Sequence, residues 1–495
     1  MIEKEEEIKG YISRIIQTAP EFSETKIKTR DQKSYLQSRA YWLVLDKYLR
    51  AFFEKNLKQR IIVIPGLRGI GKTTLLYQAY NFLLNTKQIP KERLLYIDTS
   101  ELKNTVGSNL NDLMKVYEEF FLQQPIEKLK DPLFIFIDEA HYDPNWASIV
   151  QTLFNRSDNF QNILIFVSGS SALALNINTD LSRRVIKDPL YPLSFQEYLK
   201  IKKSFYPPTQ TAARIKTALN SDIESAHYIL STVYNELQNN LLKKSIDINR
   251  ELLEFLSLGA SPISLDIKSA DLSFKSWIEI MDKVTKQDVP SFSKIGFKSS
   301  STLFSLLRFI AESTPSIQSY GSIASKLNGV SDVHVINMFE ALKNACLLFE
   351  IKQDVDSLRK TTKSSKYYFM HPTLRAALLW NIGRFRSDIS LNDSQVLGIL
   401  FEEAIAATLF RNKELKGGYI TDVFFDAKEC GADFIIKTPS GNVAIECGWG
   451  KKDNCQPLES MKRFKCKFGI KISKTNTLSM NENVITLPRE LLLFI

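Results

Sequence analysis

The sequence predicts a multidomain α/β protein with a parallel sheet in residues 60–200, from three observations. Short apolar runs at Ile61–Ile64, Leu94–Ile97, Leu133–Ile137 and Ile163–Val167 alternate with helical stretches, the pattern of a parallel sheet covered on both faces. A glycine-rich turn, Gly66-Leu67-Arg68-Gly69-Ile70-Gly71-Lys72-Thr73, follows the first run and opens onto a helical pattern from Thr74 to Leu84. A chain of 495 residues is also too long for one core, so three or four domains are expected.

Composition narrows the class. Hydrophobic content of 44% and charged content of 24% are ordinary for a globular protein. No run of about 18 apolar residues occurs, which predicts no membrane-spanning helix. The opening Met1–Glu7 is acidic, the opposite of a signal peptide. Five cysteines without a C-x-x-C pair point to a reducing compartment, hence the cytoplasm. Net charge of +10 with a pI near 9.0 permits nucleic-acid contact. The excess crowds Lys451, Lys452, Lys462, Arg463, Lys465, Lys467, Lys471 and Lys474; a solvated lysine-rich surface would look the same.

Residues 1–59 read as an N-terminal helical segment, with apolar periodicity through Tyr41–Phe53. Residues 60–200 carry the sheet core. Residues 201–297 read as helical and polar, residues 298–385 as three helices followed by two strands, and residues 393–495 as mixed α and β. The stretch Asp354–Ser365 is the most disorder-prone internal segment.

The turn fits G-x-x-x-x-G-K-[ST] in the setting where that pattern has meaning, strand before and helix after. Its amides and the helix N-terminus form an anion hole lined by Gly66 to Thr73 and the following Thr74. Lys72 is placed to reach the β/γ-phosphates, and the Thr73 hydroxyl to hold Mg²⁺. The run Leu133–Ile137 delivers Asp138 and Glu139 at a strand end, where open α/β sheets place ligands. Asp138 is expected to bind Mg²⁺, and Glu139 to orient and deprotonate an attacking water. The strand Ile163–Val167 ends in Ser168 and Ser170, read either as polar sensors of the γ-phosphate or as a Ser/Gly-rich turn. Arg183 and Arg184 are candidates to stabilise charge on the γ-phosphate, in cis or from a neighbouring subunit. His141, with no second His or Cys near it, reads as a structural hydrogen-bonding group rather than a metal ligand.

The set Gly66–Thr73, Ile135–Glu139, Val167–Ser171, Leu181–Arg184 and Leu190-Tyr-Pro-Leu-Ser-Phe-Gln-Glu-Tyr-Leu199 resembles prokaryotic AAA-type ATPases. These are the archaeal-ATPase-like proteins that carry a restriction-endonuclease-like C-terminal domain. The resemblance implies a P-loop NTPase fold with an additional strand and a catalytic glutamate, a helical lid over 201–297, and ATP as the nucleotide. It matches Arg184 to the family's arginine; the family usually has Gly-Arg where this chain has Arg183-Arg184.

Beyond the core, Ser322–Leu327, Asn328-Gly329 and Asp332–Asn344 read as helix, turn, helix, with Ser331 as N-cap. Leu347–Ile351 and Lys366–Phe369 then pair as a wing around Arg359, Lys360 and Lys363, completing a winged helix over 298–385. Such a module can read a DNA major groove. Its second helix presents His334, Asn337 and Lys343 beside Asp332 and Glu340, a face that suits a protein contact equally. In residues 393–495, Glu402, Asp433 and Glu446 are spaced to form a second Mg²⁺ site, resembling the D…E-x-K core of restriction-endonuclease-like folds. Gly448 stands at the lysine position, so Lys451 or Lys452, with help from Gln456, would have to substitute. Both an active nuclease and an inactive nucleic-acid-binding domain remain open. Cys430, Cys447, Cys455 and Cys466 fit no common zinc spacing.

The expected protein is a cytoplasmic, Mg²⁺-dependent ATPase acting as a nucleotide-driven switch on double-stranded DNA. The rivals are an ATP-controlled DNA nuclease of a defence-type system and a nucleotide-regulated signalling scaffold. Partners are ATP, DNA, and a second copy or another protein through the winged helix, with no membrane.

Overall fold

A computed structural model describes residues 2–29, 32–157, 161–170, 179–292, 300–315, 320–327, 330–353, 365–414, 419–450 and 454–495. The chain divides into two compact units, Met1–Tyr191 and Pro192–Ile495.

The first unit is built on five parallel strands: β1 (Ile61–Pro65), β2 (Leu94–Asp98), β3 (Leu133–Asp138), β4 (Ile163–Gly169) and β5 (Val185–Lys187). Their order across the sheet is β2-β3-β4-β1-β5. β4 stands between β1 and β3, the additional strand that the resemblance implied. β1, β3 and β4 are buried along their whole length, because helices cover both faces, and they are apolar up to Asp138 and Ser168 at their ends. β5 is absent from the sequence expectation. It offers one buried residue, Val185, too little to show periodicity.

One sheet face carries Ile61, Val63, Leu95, Ile97, Ile135, Ile137, Ile165 and Val167. It packs with Ile8, Tyr11, Ile12, Ile15 and Ile16 of the helix Ile2–Lys26, whose three-and-four spacing makes one apolar stripe. The N-terminal helix therefore completes the sheet core. The opposite face is aromatic. Phe136 stacks on Phe166 at 5.0 Å, and Phe52 of the helix Tyr41–Phe53 meets Phe134 edge-on at 5.3 Å.

The second unit begins with helices, including Phe195–Lys203, Thr211–Asn220, Ile223–Lys243, Ile248–Leu258 and Ala270–Lys283. Ser194 and Glu197 form a capping box that starts the first of them. The helices Tyr320–Lys326 and Asp332–Asn344 follow, the latter capped by Ser331, which accepts from the His334 amide at 3.2 Å. The turn Asn328-Gly329 and the loop residues Arg359, Lys360 and Lys363 lie outside the described residues.

Eight strands make the sheet of this unit: β6 (Leu348–Gln353), β7 (Ser365–Phe369), β8 (Asp422–Phe425), β9 (Phe434–Thr438), β10 (Gly441–Cys447), β11 (Cys466–Ser473), β12 (Ser479–Asn481) and β13 (Val484–Pro488), in the order β12-β13-β11-β10-β9-β8-β6-β7. The two strands of the expected wing form the antiparallel pair β6–β7. It does not stand apart, because β6 also pairs in parallel with β8 at Lys352↔Phe424 and Gln353↔Phe425. One sheet thus runs from the wing through the C-terminal region.

A buried ion pair fixes this junction. Arg375, in the helix Pro372–Asn381, and Glu403, in the helix Ser394–Glu414, are both fully enclosed and 3.0 Å apart. The guanidinium also donates to the carbonyls of Ile310, Ala311 and Ser313 at 2.8–3.0 Å, and the Phe369 amide donates to Glu403 at 2.8 Å. Removing one partner of such a pair leaves a buried charge uncompensated. Arg375→Met is expected to destabilise the second unit by roughly 3–5 kcal/mol. Urea-dependent hydrogen exchange should show this in Pro192–Ile495 peptides and leave Met1–Tyr191 peptides unchanged.

Candidate functional site

The site forms where β1, β3 and β4 end. Register places Pro65 opposite Gly169 and Ile64 opposite Ser168, and Asp98 opposite Asp138, so all three chain exits open on one sheet edge. Gly71 turns the chain with φ of 100°, a left-handed conformation that glycine adopts at no steric cost, and starts the helix Lys72–Asn85. Gly66 has a different reason. A Cβ there would lie 2.5 Å from the Leu190 carbonyl oxygen. Arg39, absent from the sequence reading, braces the loop by donating to the Ile70 carbonyl at 3.0 Å and the Tyr191 carbonyl at 2.8 Å. Lys72 is buried, and its ammonium donates to the carbonyls of Gly66 and Leu67, both at 3.0 Å. The first-turn amides of the helix have no intrahelical partner, and a helix N-terminus carries partial positive charge.

Asp138 is the hub. Thr73 Oγ1 donates to its Oδ2 at 2.7 Å, and Tyr96 OH donates to the same oxygen at 2.9 Å. Ser168 Oγ donates to Oδ1, and the Glu139 amide reaches Oδ1 at 3.0 Å. Thr99 Oγ1 donates to the Asp138 carbonyl at 2.9 Å. Burial, then the Asp138 charge, pushes the Tyr96 phenol well above its ordinary range, so it stays a donor. Burial likewise lifts the Asp98 carboxyl, with Asp138 adding to it. A hydroxyl and a carboxylate side by side are hard oxygen donors, which suits Mg²⁺. Thr73 and Asp138 are therefore the residues that fit a metal, and the loop amides with Lys72 fit its phosphates.

Glu139 adopts a left-handed backbone, φ 52°, at a cost of about 1–2 kcal/mol for a residue with a Cβ. Its carboxylate lies 3.3 Å from His141 Nδ1, while Arg68 of the loop meets His141 Nε2 at 3.3 Å. The Ser170 amide also reaches Nδ1, at 3.4 Å, so the ring stands where Arg68, Glu139 and the turn after β4 meet. His141 thus links the loop to the acid beside Asp138. Its only sequence signal was adjacency.

The remaining expected residues separate. Ser168 is fully buried and spends its hydroxyl on Asp138, so it braces that carboxylate. Ser170 is buried too, and its Oγ has no hydrogen-bond partner. Arg184 is elsewhere. Val185 pairs with Ile61 at the start of β1, and Arg184 lies over the Phe154 ring beside Arg60. The phosphate loop follows the other end of β1, roughly 13 Å away along the strand. Arg184 cannot serve the loop of its own subunit. Sequence could not show this, since it depends on the register of a strand too short to read.

The basic and acidic features of the second unit also differ from expectation. Lys343 is taken up by Glu340 and Glu350, both at 2.7 Å. The helix Asp332–Asn344 exposes Val333 and Ile336, at 67% and 38%, beside the expected Asp332, Asn337 and Glu340. Lys462 pairs with Glu459, Arg463 with Asp426, and Lys467 donates to the carbonyls of Leu219 and Ser221. Glu402, Asp433 and Glu446 do come together, but around a lysine. Among the described residues, no group of three or more His, Cys, Asp or Glu is arranged to hold a metal ion. Lys451 and Lys452 lie outside the described residues. No helix among the described residues is long and apolar enough to cross a membrane.

A family model described as an AAA domain matches residues 58–199, and one described as a domain of unknown function matches residues 249–384. An uncharacterized protein of Methanocaldococcus jannaschii is 29% identical over 446 residues, covering 90% of this chain and 85% of that protein. An uncharacterized protein of Haemophilus influenzae is 22% identical over 428 residues, covering 85% and 90%. A Walker-type ATPase of Pyrococcus abyssi is similar over 71% of this chain and 97% of its own, with 14% identity and a TM-score of 0.41. Residues 58–199 are thus similar to AAA domains.

Gly66→Ala is expected to cost about 1–3 kcal/mol through its clash with Leu190 and to weaken nucleotide binding. Thermal melts with and without nucleotide check both effects; full retention of the nucleotide-induced shift would contradict the packing account.

Proposed function

We propose that this protein is a Mg²⁺-dependent ATPase whose bound nucleotide sets the state of the second unit. One observation carries the reading: Thr73 donates to Asp138 at 2.7 Å on the edge where Lys72 and the loop amides converge. Lys72 exchanges its two carbonyl contacts for phosphate oxygens. Thr73 and Asp138 would hold Mg²⁺, and the chemistry the ion would supply there is neutralisation of charge on the transferring phosphoryl group. Tyr96 and Ser168 keep Asp138 oriented. Glu139 takes the proton from the attacking water, once free of His141. Ser170 Oγ is the group left to sense the γ-phosphate. Arg184 acts, if on phosphate at all, in the site of a neighbouring copy, which makes a homo-oligomer part of the proposal.

DNA is the first client to test, on the strength of the net charge of +10. A protein partner is the second reading. The helix Asp332–Asn344 favours it, since its exposed Val333 and Ile336 stand where a phosphate contact would need bases, and Lys343 is already paired.

Glu139→Gln is expected to lower the steady-state rate of ATP hydrolysis about 10²–10⁴-fold while leaving nucleotide affinity close to wild type. An undiminished rate removes Glu139 from the chemistry. A gel shift with duplex DNA at low salt separates the clients, because phosphate contacts are strongest there. Retardation supports DNA, and none supports a protein.

A further inference from the structure

The three C-terminal acids surround a lysine from the wing. β7 carries Lys366 and Tyr368 on one face, two residues apart. Lys366 Nζ donates to Glu402 Oε1 at 3.2 Å and stands 3.5 Å from Asp433 Oδ1. Tyr368 OH donates to the same Glu402 oxygen at 2.7 Å. Ile445 pairs with Phe434, so Glu446 and Asp433 face each other one step along. The Asp433 amide donates to Glu446 Oε2 at 3.3 Å, and the Cys447 amide donates to Asp433 Oδ2 at 2.9 Å. The Lys366 side chain is 15% exposed, and its ammonium lies over the rings of Phe425 and Phe434. Burial alone would lower its pKa. Glu402, Asp433 and Glu446 outweigh burial and raise it, so it stays charged.

A restriction-endonuclease-like centre needs a divalent cation among these oxygens. The donor set does not fit one. The carboxylates of Glu402 and Asp433 are directed at an ammonium, and a second cation would compete for the same lone pairs and repel the first. Gly448 removes the lysine that such a centre carries beside its metal, whereas Lys366 arrives from another segment of chain and sits among the acids.

We infer that Lys366 is the resident cation of this acidic centre: its ammonium stands where a metal would, so the centre cleaves no phosphodiester and fastens the wing strand β7 to the helix Ser394–Glu414 and to β9. This inference is independent of the nucleotide reading.

The test uses the full chain without nucleotide, so that metal uptake at Thr73 and Asp138 is common to every variant. Mn²⁺ is titrated by calorimetry, thermal melts are recorded in EDTA and in Mn²⁺, and plasmid nicking is assayed with Mg²⁺ and with Mn²⁺. Wild type should show no Mn²⁺ uptake that Glu402→Gln abolishes, and should leave plasmid intact. Lys366→Met should melt lower in EDTA and recover in Mn²⁺. It should bind Mn²⁺ at least tenfold more tightly than wild type, and lose that gain when Glu402→Gln is added. Lys366→Arg, which keeps the charge, should fold and respond to Mn²⁺ as wild type does, even if Lys366→Met fails to fold. Wild-type nicking that Lys366→Met or Lys366→Arg abolishes would overturn the inference and make Lys366 catalytic. Wild-type Mn²⁺ uptake lost in Glu402→Gln, or a folded Lys366→Met that gains no Mn²⁺ affinity, would overturn it as well.

Discussion

The hydrogen bond from Thr73 to Asp138 is the contact on which the first unit is organised. Its partners lie 65 residues apart. They meet only because β4 separates β1 from β3 in register, so that the turn after Pro65 and the carboxylate at the end of β3 reach the same edge. β1, β3 and β4 are apolar up to their C-terminal ends because helices cover both faces. The polar residues are therefore confined to the strand ends, and the sheet edge becomes the place where chemistry can occur.

Around that contact, most groups act on Asp138 or on the loop rather than on a ligand. Arg39 fixes the loop's path, and Tyr96 and Ser168 fix the carboxylate. His141 ties Glu139 to Arg68. Such bracing is what preorganised electrostatic sites require, since donors aimed in advance cost no reorganisation when charge develops. The strained backbone of Glu139 belongs to the same economy of geometry.

The four long strands, the loop and Asp138 were legible in sequence because each is a local pattern: an apolar run, a glycine spacing, an acid at a strand end. Groups that depend on register were not. Tyr96 and Arg39 are ordinary residues until pairing brings them to the site. β5 is too short to declare itself, and with it went the position of Arg184. In the second unit the two wing strands were legible, but their joining to β8 was not, since parallel pairing between distant segments leaves no trace in spacing. The same pairing brings Lys366 to the C-terminal acids, a lysine that no spacing in residues 393–495 announces. A buried ionic centre, Arg375 with Glu403, and a half-buried one, Lys366 with Glu402 and Asp433, hold that junction. In both, removing one member costs more than the pair itself contributes.

The central claim is that one sheet edge grips a triphosphate between main-chain amides, the Lys72 ammonium and a cation held by Thr73 and Asp138. Calorimetric titration of ATP with Mg²⁺ into the wild-type chain and into Thr73→Ala and Lys72→Ala tests it most directly. Saturable uptake in the wild type, weakened about tenfold or more in both variants, is the expected result. No uptake by folded wild-type protein, or equal uptake by all three, would contradict it.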